Sequence, residues 1–248
     1  MKKIGIVGGV AWLSTVSYYT EICRRSEQRH FAAKLPGVPS MPEMSIESLD
    51  LHKAFSYLGV DGDEASWARF DEYHRVALRR LEASGADFAL IASNTPHHRL
   101  ESIVEGIAIP VIGIFEAAAK ESARSGAREV LILGTPVTMG SRKFREQFAR
   151  YGIAAAGPRD ETARAMTAEL IAELQLGKLE GAAERLGAIA KSSFAQFAAQ
   201  PAVCLACTEL PLAFGDRSMP ASFRRDGVLY VNTTAAHIDA AFEFAVQP

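Results

Sequence analysis

Four apolar runs organise this chain: KIGIVGG at 3–9, ADFALIASNT at 86–95, EVLILGT at 129–135 and PAVCLACTE at 201–209. Each is continuous rather than alternating, is rich in aliphatic residues, and stops at glycine or small polar residues. Such a run suits a strand covered on both faces, and strands of that kind belong to parallel sheets sandwiched by helices. The segments between the runs supply the helices. From Ser14, read as an N-cap, Val16, Tyr19, Ile22 and Cys23 recur at helical spacing toward His30. Trp67, Phe70, His74, Ala77, Leu78 and Leu81 line a second helical face that Gly85 ends. Further strands are expected near 44–48, at PVIGI, within 152–157 and at GVLYV. Further helices are expected before Gly126, through Phe144, Phe148 and Tyr151, over 160–176, over 178–200 and from Thr233. The stretch between PAVCLACTE and GVLYV reads as a Pro-containing loop. About eight strands alternating with helices specify parallel α/β layers.

The runs also echo one another. KIGIVGG is like EVLILGT, and ALIASNT is like CLACTEL. Two four-stranded halves, with the chain crossing between them near Gly113, produce such an echo. So does the general habit of parallel strands to end in small polar residues. In open α/β sheets ligands bind outside the carboxyl ends of strands, which makes Gly8, Gly9, Ser93, Asn94, Thr95, Thr135, Cys207 and Thr208 candidates to face one ligand.

Charge narrows the partner. Lys+Arg 27 against Asp+Glu 29 leaves a net charge of −2 with no run of like charges, so nothing favours nucleic acid or an anionic membrane. A small molecule is the expected partner. The lysines and short apolar run at the N-terminus lack the length and cleavage site of a signal peptide, and no apolar stretch approaches the ~18 residues of a membrane span. Three cysteines, Cys23, Cys204 and Cys207, cannot all pair with one another. The expectation is a soluble cytoplasmic protein with free thiols.

Individual motifs leave their chemistry open. GIVGGVAW lacks the third glycine of a dinucleotide fingerprint, so its glycines serve either the approach of an anionic ligand or a tight turn. Cys204 and Cys207 stand three apart on a strand and therefore point to opposite faces, which argues against a shared metal or a redox pair and places Cys204 in the core. Cys207, at the strand end beside Thr208 and Glu209, is either inert or a thiolate favoured by backbone N–H groups. Ser93 lacks the glycine elbow of a serine hydrolase. His97 reads as a base, an orienting group or a surface residue. Cys23, His30, His52 and His74 serve packing or solvation.

Taken in order, GGVAWLST, SNTPHH, LGTPVTM, ACTEL and NTTAAH resemble the cofactor-independent aspartate/glutamate racemase family from Met1 nearly to the C-terminus. The resemblance implies two pseudo-symmetric α/β domains, 1–113 plus 231–248 and 114–230, each a roughly four-stranded parallel sheet flanked by helices, with the active site between them. It also implies two acid/base groups on opposite faces of the substrate α-carbon, one from each half, and needs neither metal nor pyridoxal phosphate. Cys207 matches the second-half cysteine, whereas Ser93 stands where most members carry the first. An L-aspartate/glutamate-specific subgroup has threonine at that place together with a segment like Trp12, Ser14 and Thr15, and this chain looks closest to it. A hydroxyl needs an adjacent base, for which His97 is the nearest candidate.

Asn94, Thr95 and Thr208 match positions that hold the α-carboxylate, with Thr135 and Glu209 beside them, and Arg164 matches a basic position that meets a distal carboxylate. The usual arginine after the second strand is absent: SIESLD has Ser48 and Asp50. Asn232 stands where aspartate is usual, and Ala11 and Leu13 replace polar residues of the subgroup. The expected activity is racemisation or epimerisation of aspartate or glutamate by a homodimer. The alternatives are a one-base decarboxylase or isomerase using Cys207, and a carboxylate-binding protein without activity.

Overall fold

The computed structural model describes residues 1–60, 62–215 and 220–247, and the chain divides into two compact units. The first comprises Met1–Gly113 with Ile238–Pro248, the second Ile114–His237.

In the first unit, strands β1 (Ile4–Gly8), β2 (Met44–Ser48), β3 (Phe88–Ile91) and β4 (Val111–Ile112) pair in the order β2-β1-β3-β4, all parallel. Helices α1 (Trp12–Ala32), α2 (Leu51–Ser56), α3 (Ala68–Ala83) and α4 (Leu100–Ile103) connect them. Every residue of β1 is buried, as its unbroken apolar run requires. The period of two then divides the sheet between two cores. Ile4, Ile6, Phe88 and Leu90 pack with Tyr18 and Ile22 of α1 and with Ile238 and Ala241, while Val7, Ala89 and Ile91 pack with Phe70, Ala77, Leu78 and Leu81 of α3.

The second unit starts with α5 (Ile114–Arg124) and carries β5 (Glu129–Gly134), α6 (Pro136–Gly140), α7 (Arg142–Ala149), β6 (Ala154–Ala156), α8 (Glu161–Gln175), α9 (Ala182–Ser192), β7 (Ala202–Ala206), β8 (Ser222–Arg225), β9 (Val228–Asn232) and the start of α10 (Thr233–Val246). Its sheet runs β6-β5-β7-β9-β8, parallel except for β8. Its two faces are again distinct: Leu131, Leu133, Val203 and Leu205 pack with Leu170 and Leu186, and Val130, Ile132 and Cys204 with Phe144 and Phe148.

Five expectations are corrected. Val16 and Tyr19 are 54% and 50% exposed; the buried face of α1 is Ser14, Ser17, Tyr18, Ile22, Ser26 and His30, so Tyr18 and Ile22 supply its large core groups and serines fill the rest of the face. Ser14 is not the cap, because the helix already begins at Trp12, behind Ala11, which makes no side-chain capping bond. Helix α9 is shorter than 178–200 and gives way to a 3₁₀ turn at Phe194–Gln196. The return to the first unit falls at Ile238 rather than 231, because β9 through Asn232 is laddered to β7. The second sheet is also one strand larger than expected. Asp226 and Gly227 both take positive φ, 50° and 77°, and close a two-residue hairpin that pairs Arg225 with Val228.

Candidate active site

The residues singled out in the first unit all follow the carboxyl ends of its strands. After β1 the chain must turn sharply. Gly9 sits at φ +85°, where a Cβ would lie 2.1 Å from the Leu49 carbonyl oxygen, and a Cβ on Gly8 would lie 2.5 Å from Thr15 Oγ1. The glycines are therefore accounted for by the turn itself. Thr15 fastens that turn by accepting the Gly9 N–H at 2.9 Å. Trp12 opens α1 at 64% exposure, whereas Ser14 is fully buried and its Oγ has no hydrogen-bond partner among the described residues.

After β3, Ser93 and Thr95 are half-buried, and Asn94 and His97 are each only 4% exposed. The chain enters a 3₁₀ turn at Thr95–Arg99, which Pro96 suits because the first turn needs no N–H from it. His97 Nδ1 donates to the carbonyl oxygen of Ser93 at 2.8 Å. A carbonyl only accepts, so the proton is on Nδ1, and the basic lone pair of the neutral ring lies on Nε2. His97 thus grips Ser93 by its backbone, a contact different from the one expected with the hydroxyl.

In the second unit, Cys207 follows β7 and is 7% exposed. Its Sγ donates to Glu209 Oε2 at 3.0 Å, and the same oxygen accepts Thr208 Oγ1 at 2.9 Å. All three residues are buried. Burial, the charge of Glu209 and its hydrogen bond, in that order, push the Cys207 thiol well above the ordinary thiol range; the N–H groups of Glu209 and Thr208 pull the other way and lose. The resting group is a thiol, not the thiolate that the strand-end N–H groups alone would favour. Cys204 belongs to the opposite core face, as the spacing requires, and burial raises it too.

Thr135 and Arg164 are already engaged. Thr135 caps α6, accepting the Thr138 N–H at 3.3 Å and bonding Thr138 Oγ1 at 2.9 Å. Arg164, in the first turn of α8, donates Nε to the Pro158 carbonyl at 2.7 Å and lies 3.7 Å from Glu161. Asn232 Oδ1 caps α10 through the N–H groups of Thr234 and Ala235. The next residue but one, Thr234, was not singled out by the sequence, although NTTAAH contains it; it is 6% exposed and its Oγ1 has no partner among the described residues. Equally unforeseen is Arg99, which closes the Thr95–Arg99 turn in a buried pair with Asp71. Among the described residues no group of three or more His, Cys, Asp or Glu side chains is placed to hold a metal ion, and no helix is long and apolar enough to cross a membrane.

Each unit thus carries a strand followed by a small protonic group, Ser93 or Cys207, and then by a buried polar side chain, the Asn94 amide or the Thr208 hydroxyl. That is the equipment for binding a carboxylate and moving a proton. Comparison with known proteins gives the family. The chain is 25% identical to the broad specificity amino-acid racemase RacX of Bacillus subtilis over 143 residues, which are 58% of this chain and 59% of that protein, so the match takes in about three fifths of the relative. A solved aspartate racemase homologue from Pyrococcus horikoshii shares 26% identity, with a TM-score of 0.77 across 100% of both chains. The aspartate racemase of Picrophilus torridus, at 17% identity, shares the fold with a TM-score of 0.71 over 99% of this chain and 94% of that one. The model of one family matches residues 7–241, from within β1 into α10, and the chain belongs to that family, Asp/Glu/Hydantoin racemase.

Proposed function

We propose that the chain is a cofactor-independent racemase or epimerase of an acidic amino acid, aspartate or glutamate, working by α-proton abstraction and return. The observation that carries this reading is the buried Cys207 thiol with a carboxylate 3.0 Å from its sulfur. As an acid, the thiol delivers its proton to the α-carbon. As a base, it first passes that proton to Glu209 and then, as thiolate, takes the α-proton. Glu209 is accordingly assigned to the thiol rather than to the substrate. Ser93 serves the other face of the α-carbon, with Nε2 of His97 as the basic nitrogen of that half. Asn94, Thr95 and Thr208 hold the α-carboxylate and stabilise the enolate that develops on it. Ser14 adds a hydroxyl with no other partner among the described residues, Thr15 and Thr135 hold their turns, Trp12 lines the approach, and the remaining donors of Arg164 meet the distal carboxylate. The same reading takes the enzyme to be a cytoplasmic homodimer, for which gel filtration at graded concentration is the direct check.

The test is incubation of each enantiomer of aspartate and glutamate in D₂O. Inversion with α-deuterium in both enantiomers is expected, and both should vanish in Cys207→Ala. A second reading is favoured by one observation, the hydroxyl at Ser93: with Cys207 as sole acid/base, exchange would proceed with retention, as in a one-base isomerase or decarboxylase. Binding without exchange for any acid tested would leave only a carboxylate-binding protein.

A further inference from the structure

Ser93, Asn94 and Thr95 lead into the 3₁₀ turn Thr95–Arg99. Asn94 makes no side-chain cap for the 3₁₀ turn that follows, and the backbone of Ser93 is gripped by His97, which belongs to the same turn. The anchor lies at the far end of that turn. The Arg99 guanidinium, 13% exposed, bonds the Asp71 carboxylate of α3, 7% exposed, through Nη2 at 2.8 Å and Nε at 3.2 and 3.3 Å. Its other nitrogen reaches Glu64 at 2.5 Å, Nη2 also meets Ser102 Oγ at 3.3 Å, and the group stacks over the Trp67 ring at 5.6 Å. Among the described residues this is the most deeply buried ion pair, and it ties the Ser93 segment to α3 and to the 3₁₀ turn Glu64–Trp67. A buried pair of this kind contributes little net stability compared with apolar groups of equal volume. What a planar fork on a carboxylate supplies is direction.

We propose that Asp71 and Arg99 are positioning residues for Ser93: by fixing the end of the turn they set where the Ser93 hydroxyl stands, and with it the rate of one of the two proton transfers. The inference rests on the racemase reading above. Its signature is asymmetry. Loosening the turn slows abstraction from the enantiomer served by Ser93 and spares the one served by Cys207.

The experiment compares wild type, Ser93→Ala, Arg99→Lys and the double variant Asp71→Asn/Arg99→Met, which leaves no lone buried charge. Initial α-deuterium uptake is measured separately for each enantiomer, alongside thermal unfolding. The double variant should lose about 10- to 100-fold on one enantiomer, the cost of a misplaced group, and less than about twofold on the other. In a Ser93→Ala background the same change should have no further effect on that enantiomer, because the pair acts through Ser93. Arg99→Lys, which keeps the charge but not the fork, should fall between and gives the same readout should the double variant not fold. Equal loss on both enantiomers, or no loss, overturns the inference while leaving the racemase reading intact. A wild type that exchanges one enantiomer only also overturns it, since Ser93 would then move no proton. A wild type that exchanges neither overturns the reading and the inference together.

Discussion

In the first unit the strands lie in the order β2-β1-β3-β4, and in the second β6-β5-β7-β9, so that β1 and β5 hold equivalent places, as do β3 and β7. At the end of each of the latter pair an alanine, Ala92 just after β3 or Ala206 closing β7, precedes Ser93 or Cys207, and a 3₁₀ turn with proline near its start follows, Thr95–Arg99 or Leu210–Phe214. The plan is shared and the chemistry is not. Cys207 is buried against a carboxylate that raises it, whereas Ser93 is half-buried, with a histidine on its carbonyl. One half therefore carries a proton donor that can titrate with help, and the other a hydroxyl that never titrates near neutrality. The difference predicts unequal proton transfers on the two faces of the substrate.

The largest expected effect comes from removing the stronger partner. Cys207→Ala should lower inversion at least about 10³-fold, since a positioned acid/base contributes 10²- to 10⁴-fold and no neighbour replaces the sulfur. Retained inversion would end the assignment. Glu209→Gln should cost about 10²-fold and also shift the pH profile. The thiol is raised by burial and by the Glu209 charge, so abstraction through Cys207 should climb as pH rises into the alkaline range. Removing that charge lowers the thiol pKa, and the climbing limb should move to lower pH even as its maximum falls. A profile that keeps its position would show that Glu209 does not act on the sulfur.

The halves also differ in how readily their sequences disclosed them. The four central strands β1, β3, β5 and β7 are legible because an unbroken aliphatic run has few other uses, and Ser93 and Cys207 follow from the ends of two of those runs. The phase of α1 escapes its hydropathy because half of its buried face is serine, beside Tyr18, Ile22 and His30, while Val16 and Tyr19 turn outward. Strand β8 was missed although Asp226–Gly227 is a strong two-residue hairpin signal, because Pro220 and the short polar SFRR made the stretch look like a loop. The roles of Thr15, Thr135 and Glu209 were out of reach for another reason: a hydroxyl or carboxylate at a strand end looks the same in sequence whether it meets a ligand or caps the adjacent turn. The Asp71–Arg99 pair joins residues 28 apart on different elements, and no local pattern announces it.

A smaller effect sharpens the comparison at Ser93. If the hydroxyl limits its face, Ser93→Cys should raise inversion by about tenfold in both directions, with the one-sided gain confined to α-deuterium exchange of the enantiomer that Ser93 serves, since a thiol titrates far closer to neutrality. An unchanged or lower rate would mean that the His97 half is built for a hydroxyl.

The smallest effect concerns stability and also distinguishes the units. His74 of α3 is fully buried in the first, its Nδ1 bonded to the Phe70 carbonyl at 2.9 Å and its ring against that of Phe70. Burial lowers its pKa, outweighing that hydrogen bond and the charge of Asp71. The unfolded chain, with histidine near ~6.5, then binds the proton more readily than the folded one. The stability that depends on neutral His74 is complete above that pH and is lost as pH falls from it toward the folded value. Hydrogen exchange should therefore show β1 and β3 losing protection as pH falls below about 6.5, ahead of β5 and β7. His74→Leu, which cannot titrate, should remove that lead, and equal loss in both sheets of the wild type would assign the acid sensitivity elsewhere.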